Sequence, residues 1–122
     1  MTKEELKART KKFAVDTFKF LMEIEKNKAV DVISFQLFKS SSSVAANYRA
    51  VCRGKSDADF LNKLKVVDEE ADESLFWLEF IKGLEVPCDK TVLDSLIKEA
   101  NELVSIFSAA IKTIKEKNNS KK

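Results

Sequence analysis

Apolar residues along this chain recur every three or four positions through four long segments, which short polar stretches separate. This period is typical of amphipathic α-helices, because 3.6 residues complete one helical turn. No segment alternates convincingly with the period of two expected of a half-buried strand. The pattern predicts an all-α protein, and the short connections favour an antiparallel up-down-up-down four-helix bundle.

The first predicted helix covers about residues 2–26. The second begins near Asp31, a suitable N-cap, and ends at Arg53-Gly54, where Gly54 suits a left-handed C-cap. The apolar positions expected to face the core in these two helices are Leu6, Phe13, Ala14, Thr17, Phe18, Leu21, Ile24, Ile33, Leu37, Ser41, Val44, Tyr48 and Val51.

The third predicted helix begins after Ser56 as N-cap, with Asp59 three residues later as in a capping box, and stops around residues 83–87. The fourth begins with Asp89 or Thr91 as its cap. The expected core positions of these two helices are Phe60, Leu61, Leu64, Val67, Ala71, Leu75, Trp77, Leu78, Ile81, Leu93, Leu96, Ile97, Ala100, Leu103, Val104, Phe107, Ala110, Ile111 and Ile114.

The chain has 122 residues, of which 44% are hydrophobic and 34% are charged, with 2 Gly and 1 Pro. This composition predicts one bundle domain over residues 1–117 and a polar, disordered tail over residues 118–122. The N-terminal segment is charged where a signal peptide needs an apolar core, and no apolar run reaches the length of a membrane span. We therefore expect a cytoplasmic protein without a membrane partner.

Composition also argues against catalysis. The chain has no histidine, and Cys52 and Cys88 form no C-x-x-C motif, so both are expected to be reduced thiols. Asp68 and Asp72 lie four residues apart, as do Glu69 and Glu73, but without histidine or a glycine-rich loop they make a weak metal or acid–base site. We predict no enzyme activity, no catalytic residue, no metal and no cofactor.

Charge and small residues indicate two candidate sites. Residues 56–88 carry three basic and nine acidic side chains, whereas the other segments are basic. Four consecutive serines are poor helix formers, so they need a packing role. If the antiparallel turn between the second and third helices is centred on Gly54 and Lys55, the four serines lie beside the acidic stretch of the third helix. Their hydroxyls could then donate hydrogen bonds to its carboxylates. The predicted helix or subunit seam consists of Ser40, Ser41, Ser42, Ser43, Asn47, Asp68 and Glu69.

The second candidate site is a basic rim, able to contact phosphates without sequence preference. Its members are Arg49, Arg53, Lys55 and Lys63; a solvated surface is the alternative interpretation. Tyr48 lies either in the core or against a nucleic-acid base. The segment KARTKK at residues 7–12 and the terminal Lys121-Lys122 are further basic stretches, for which a solvated face is the default.

The stretch from residue 35 to residue 81 resembles the four helix bundle protein family, whose early members are reading frames inside intervening sequences of bacterial ribosomal RNA genes. The family pattern has a leucine, a serine-rich run, an apolar–Ala–Asn segment, a charged turn, an acidic-aromatic start and a Glu-rich third helix. The residues that carry it here are Leu37, Ser40 to Ser43, Val44-Ala45-Ala46-Asn47, Arg53-Gly54-Lys55-Ser56, Asp57 to Phe60, Glu73, Leu75, Trp77, Leu78 and Glu79. The fourth-helix stretch ANELVSIFSAAIKTIK, residues 100–115, is also similar to the family's ending.

The resemblance implies a bundle that assembles as a ring-shaped homopentamer and has no known catalytic residues. A distant relative, the accessory protein of diversity-generating retroelements, is a basic pentamer that binds nucleic acid. The leading hypothesis is therefore a non-catalytic homo-oligomer that acts as a structural or interaction protein. The alternative is a nucleic-acid-binding accessory protein, which the net charge of only +2 makes weaker. A small helical enzyme is the third hypothesis.

Overall fold

The computed structural model describes residues 1–120 as four helices around one apolar core. They are α1 (Lys3–Glu23), α2 (Lys28–Val51), α3 (Asp57–Leu84) and α4 (Lys90–Ser120). The predicted all-α bundle is confirmed. Helix α4 extends through Ser120, into the segment expected to be a disordered tail, and Lys121 and Lys122 lie outside the described residues.

Two contacts show that α3 and α4 run in opposite directions. Lys82 of α3 contacts Asp94 of α4, and Asp68, fourteen residues earlier on α3, contacts Ser108, fourteen residues later on α4. The connections between helices have only four or five residues, too few to return the chain to the far end of a helix. One end of the bundle therefore holds the α1–α2 and α3–α4 connections, and the other holds the α2–α3 connection.

Side-chain caps begin the helices where the sequence offers an acceptor. Ser56 Oγ accepts a hydrogen bond from the Asp59 amide at 3.1 Å, as predicted. Asp89 Oδ1 accepts from the Val92 amide at 3.1 Å, so Asp89 rather than Thr91 caps α4. Each bond satisfies one of the amides that the first helical turn leaves without an intrahelical partner.

Both predicted ends of α2 need correction. Asn27, not Asp31, is the N-cap, because its Oδ1 accepts from the Val30 amide at 3.0 Å and the helix starts at Lys28. Gly54 lies beyond the helix and has no positive φ. Its small size matters instead: an added Cβ would lie 3.2 Å from the carbonyl oxygen of Val51.

The core contains apolar side chains from all four helices, and the α2 stripe is buried as predicted. On α1 the prediction for one core residue is wrong: Phe20 is buried, whereas Phe18, expected in the core, lies at the surface. The Phe18 ring packs on Phe38, with ring centroids 4.3 Å apart. Phe18 and Phe20 are 200° apart around the helix, so only one can face the core. Phe20 continues the buried line of Phe13 and Thr17, which explains the choice.

Candidate interaction surfaces

The serine run of α2 lies partly inside the bundle. Ser40 and Ser41 are fully buried, and Ser40 Oγ accepts a 2.9 Å hydrogen bond from Ser74 Oγ on α3. Ser74 is also fully buried and has a second acceptor, the Glu70 carbonyl at 2.8 Å. Small hydroxyl side chains on both helices let the backbones approach while every buried hydroxyl in this contact keeps a partner.

The predicted register of this contact is wrong. Ser40 pairs with Ser74, five residues beyond the level expected from a turn at Gly54 and Lys55. The fixed helical rise used for that expectation does not apply through the five connecting residues, which are not helical. Within residues 1–120, no hydroxyl of the serine run bonds to Asp68 or Glu69.

The remaining residues of the predicted seam make local contacts. Ser42 is exposed and donates to the Phe38 carbonyl at 2.7 Å within its own helix. Asn47 is half-buried, and its Nδ2 donates to the Ser43 carbonyl at 2.9 Å and to Ser43 Oγ at 2.8 Å. The hydrogen-bond acceptors of Asn47 therefore belong to its own helix and not to a neighbouring one.

The acidic stretch of α3 faces α4 as well as solvent. Asp68 accepts a 3.2 Å hydrogen bond from Ser108, whereas Glu69 is exposed. Burial raises the pKa of Asp68, and the neighbouring Asp72 and Glu69 raise it further against the effect of the Ser108 bond. Burial also raises the pKa of Glu70, with a further contribution from Glu73. This crowding of carboxylates disfavours their ionised forms in the fold.

In the described part of the chain, three of the four side chains of the predicted basic rim make no ion pair. Within residues 1–120, Arg49, Arg53 and Lys55 are exposed and make no ion pair, whereas Lys63 pairs with Asp59 at 2.9 Å. Lys63 lowers the pKa of Asp59 through this hydrogen bond, and the Lys55 amide also donates to the carboxylate. Asp59 therefore neutralises one member of the predicted set.

Two further basic side chains lie close to this rim. Lys3 from the start of α1 and Lys117 from the end of α4 line a cleft of about 380 Å³ together with Lys55, Asp57 and Phe60. The ammonium of Lys3 is 5.8 Å from the centre of the Phe60 ring. We call the end of the bundle with Lys3, Arg53, Lys55 and Lys117 the basic end. Sequence analysis missed Lys3 and Lys117 because the tertiary fold alone brings the chain ends to the α2–α3 turn.

Tyr48 is a core residue. Its ring lies 5.8 Å from that of Phe107, and only 6% of its surface is exposed. Burial raises the pKa of the Tyr48 hydroxyl to about 12. The ring is thus unavailable for stacking on a nucleic-acid base.

Two of the four basic side chains at residues 7–12, Arg9 and Lys12, form ion pairs. Arg9 donates to both carboxylate oxygens of Glu99 at 2.7 and 2.6 Å and to Glu102 at 2.9 Å. Lys12 pairs with Asp16. Arg9 thereby connects α1 to α4, and a solvated or structural surface fits this stretch better than a ligand site.

The opposite end of the bundle exposes large apolar side chains that sequence analysis did not single out. Phe76, Phe80 and Leu84 of α3, which we call the aromatic face, are 54%, 42% and 44% exposed. Trp77 packs beside them, with ring centroids 4.9 Å from Phe76 and 5.6 Å from Phe80. Their spacing of four residues, off the core stripe, is the signal that could have identified them.

A second apolar surface lies between α1 and α2 at the same end. A cleft of about 390 Å³ is lined by Leu21, Met22, Lys26, Asp31, Ser34, Phe35 and Phe38, and we call it the α1–α2 cleft. Met22 and Phe35 are largely exposed, as is the nearby Val32. We call the end of the bundle with the aromatic face and this cleft the apolar end.

A cleft of about 850 Å³ lies between α1 and the start of α4, with Phe20, Cys88 and Leu96 in its lining. Burial raises the pKa of the Cys88 thiol, which keeps it protonated, and Cys52 and Cys88 are both unpaired. In the described part of the chain, no three Cys, Asp or Glu side chains are grouped to hold a metal ion. None of the helices over residues 1–120 is long and apolar enough to span a bilayer.

The architecture defines a small four-helix bundle with one apolar and one basic end. The family model for the 23S rRNA-intervening sequence protein matches residues 3–109, so the chain belongs to that family, as its resemblance predicted. A crystal structure from Bacteroides thetaiotaomicron, described as a protein with unknown function from the S23 ribosomal protein family, has the same fold. The two chains are 28% identical with a TM-score of 0.80, over 92% of this chain and 99% of the other. No curated protein matches the chain.

Proposed function

We propose that this protein is a non-catalytic homo-oligomeric bundle, with a pentamer as the expected assembly, that acts as a structural or interaction protein. The observation that carries the proposal is the apolar end, where Met22, Val32, Phe35, Phe76 and Phe80 are all exposed to solvent. Exposed apolar groups of this size mark protein–protein contact sites, because burying them against a partner removes them from water.

Neither the family description nor that of the structural neighbour names a catalytic activity. The chain has no histidine, and burial raises the pKa of the Cys88 thiol, which disfavours its nucleophilic form. An assembly or adaptor role needs surface complementarity only, which the apolar end can supply.

The assembly proposal is tested by sedimentation velocity or light scattering at micromolar concentrations. We expect a single species several times the 13.8 kDa mass of the chain, and five copies is the specific expectation. A strict monomer over the whole concentration range would contradict self-association.

The second candidate function, nucleic-acid binding, is favoured by the basic end. Arg53 and Lys55 have no ion pair within the described residues, and Lys3 and Lys117 lie beside them. Exposed cations from three parts of the chain form a surface that can contact several phosphates at once.

The binding test compares two variants with the same loss of charge. Arg49→Ala with Arg53→Ala is expected to weaken RNA or DNA binding and to reduce its salt dependence, whereas Lys11→Ala with Lys19→Ala, which removes exposed cations of α1, is not. Absence of binding by the unmodified protein at low salt would exclude this candidate. Equal losses in both variants would assign binding to overall charge rather than to the basic end.

A further inference from the structure

Three lysines from distant parts of the chain line one cleft at the basic end. Its volume is about 380 Å³, and we call it the basic-end cleft. Lys3 comes from the start of α1, Lys55 from the α2–α3 connection and Lys117 from the end of α4. Within residues 1–120, none of the three forms an ion pair. Their ammonium groups are therefore available to an anion that enters the cleft.

The charge of the residues around the cleft favours an anionic partner. The basic end is formed by residues 1–7, 49–63 and 112–120, which together carry nine basic and five acidic side chains. The apolar end is formed by residues 16–32 and 76–95, which carry five basic and eight acidic side chains. The bundle is thus polarised along its length, and its field directs an anion to the basic end.

The lining of the cleft is apolar as well as basic. Phe60 and Ile114 are half-buried and add an aromatic and an aliphatic surface beside the lysines. The ammonium of Lys3 is 5.8 Å from the centre of the Phe60 ring, so a cation and an aromatic surface are neighbours. Proteins hold an unpaired nucleotide with this combination, because cations contact its phosphate while its flat base lies against a ring.

The size of the cleft limits what can enter it. Its volume lies near the lower end of the range for small-molecule sites, about 300–1,000 Å³, which gives room for one nucleotide. A duplex keeps its bases paired and stacked, so it can touch the rim of the cleft without entering. The terminal nucleotide of a single strand has a free base, and a terminal phosphate carries about two negative charges at neutral pH. Three ammonium groups favour such a phosphate over an internal one with a single charge.

We propose that the basic-end cleft binds the phosphorylated terminal nucleotide of a single-stranded nucleic acid. The inference rests on nucleic-acid binding, the second candidate function, and identifies the class of nucleic acid and the residues that hold it. Lys55 and Lys117 contact the terminal phosphate, and the base lies against Phe60. Arg53, exposed on the adjoining surface, contacts the phosphates that follow along the strand.

The first test removes charge from the cleft. Lys55→Gln with Lys117→Gln removes two cations of its lining, and Lys11→Gln with Lys19→Gln removes two exposed cations of α1 as the matched control. The probe is a short single strand, as RNA and as DNA, that carries a phosphate at its first nucleotide, at its last nucleotide or at neither. The duplex of the same sequence is the fourth probe, and fluorescence anisotropy measures binding over a range of salt.

We expect one of the phosphorylated strands to bind on the order of tenfold more tightly than the unphosphorylated strand and the duplex. Lys55→Gln with Lys117→Gln should abolish this preference and reduce the slope of log affinity against log salt by about two. The control pair should retain the preference for the phosphorylated strand.

The second test changes affinity in the opposite direction. Asp57 is the acidic side chain of the cleft lining, and Asp57→Asn should tighten binding of the phosphorylated strand severalfold, because the carboxylate repels the phosphate. Glu79→Gln, at an exposed position of α3 near the apolar end, makes the same change of charge and should leave binding unchanged. A gain of affinity cannot arise from misfolding, so this variant tests the cleft even if a lysine variant is less stable.

The outcomes separate this inference from the function on which it rests. No binding of any probe by the unmodified protein contradicts both. Binding that depends neither on the terminal phosphate nor on the charge of the cleft leaves nucleic-acid binding intact and overturns the assignment to the cleft. Tighter binding of the duplex than of every single strand overturns the proposed class of nucleic acid.

Discussion

The two ends of the bundle differ in the chemistry they expose. At the apolar end, large hydrophobic side chains of α1, α2 and α3 face water, and at the basic end cations such as Arg53 and Lys55 do so. Burial of apolar surface is short-ranged and only weakly sensitive to salt, whereas attraction of phosphate is longer-ranged and strongly salt-dependent. Salt concentration should therefore affect binding at the two ends differently. The buried contact between Ser40 and Ser74 lies between the two ends.

The largest expected effect on stability concerns the buried serine contact that lies between the two ends. Ser40→Leu places a larger side chain at a fully buried position, in contact with the equally buried Ser74 of α3. Overpacking of this kind costs about 1–3 kcal/mol, and Ser74 keeps only the Glu70 carbonyl as its hydrogen-bond partner. Thermal unfolding should show the loss.

The control for that change is Ser42→Leu, two residues along α2, which is exposed and should have little effect. Equal stability of the Ser40→Leu variant and the unmodified protein would contradict the close α2–α3 contact.

The second prediction separates the ends by ionic strength. If three phosphates are contacted at the basic end, affinity for nucleic acid should fall roughly 40-fold between about 50 and 200 mM salt. Self-association through the apolar end should persist over the same range, because the buried surface is mainly apolar. Fluorescence anisotropy and light scattering on one sample measure both. Parallel loss of binding and assembly would show that the two ends do not act separately.

The third prediction concerns the contact that holds α1 against α4 between the ends. Arg9→Met keeps an aliphatic side chain of similar length but removes the bidentate hydrogen bond to Glu99 and the hydrogen bond to Glu102. Because the pair is half-exposed, we expect a loss of about 0.5–1 kcal/mol in the free energy of unfolding. Lys12→Met, which breaks the exposed pair with Asp16, should cost less. Denaturant unfolding of the two variants compares them; the reverse order would contradict the assigned role of Arg9.

The smallest effect concerns the acidic charge that distinguishes α3. Burial raises the pKa of Asp68, so the folded state binds a proton more tightly than the unfolded chain does. Its ionised form therefore opposes folding at neutral pH, and this penalty disappears as pH falls through the raised pKa. Asp68→Asn should stabilise the fold by a few tenths of a kcal/mol at pH 7, reduced by solvent screening.

The advantage of Asp68→Asn should shrink as pH is lowered. Ser108→Ala, which removes the hydrogen bond to the carboxylate, should change stability in the opposite direction. Thermal melts at several pH values test both. A constant advantage of Asp68→Asn at every pH would contradict the assigned cause.

Local chemistry determined most of the fold. The period of the apolar residues predicted four helices, Ser56 and Asp89 were identifiable as caps, and the core stripe of α2 was confirmed. These features depend on residues within a few positions of one another, so one sequence suffices to find them. The choice of Asp31 instead of Asn27 failed because both are good caps and only backbone geometry distinguishes them.

The sites depended on the tertiary structure. The sequence suggested a packing role for the serines but could not find Ser74 as the partner, because the register across a non-helical turn depends on how two helices settle against each other. Likewise, the sequence contains Lys3 and Lys117, yet only the packed bundle brings them beside Lys55. Periodicity determines which side of each helix is buried; the packing of helices far apart in the chain decides which exposed residues become neighbours.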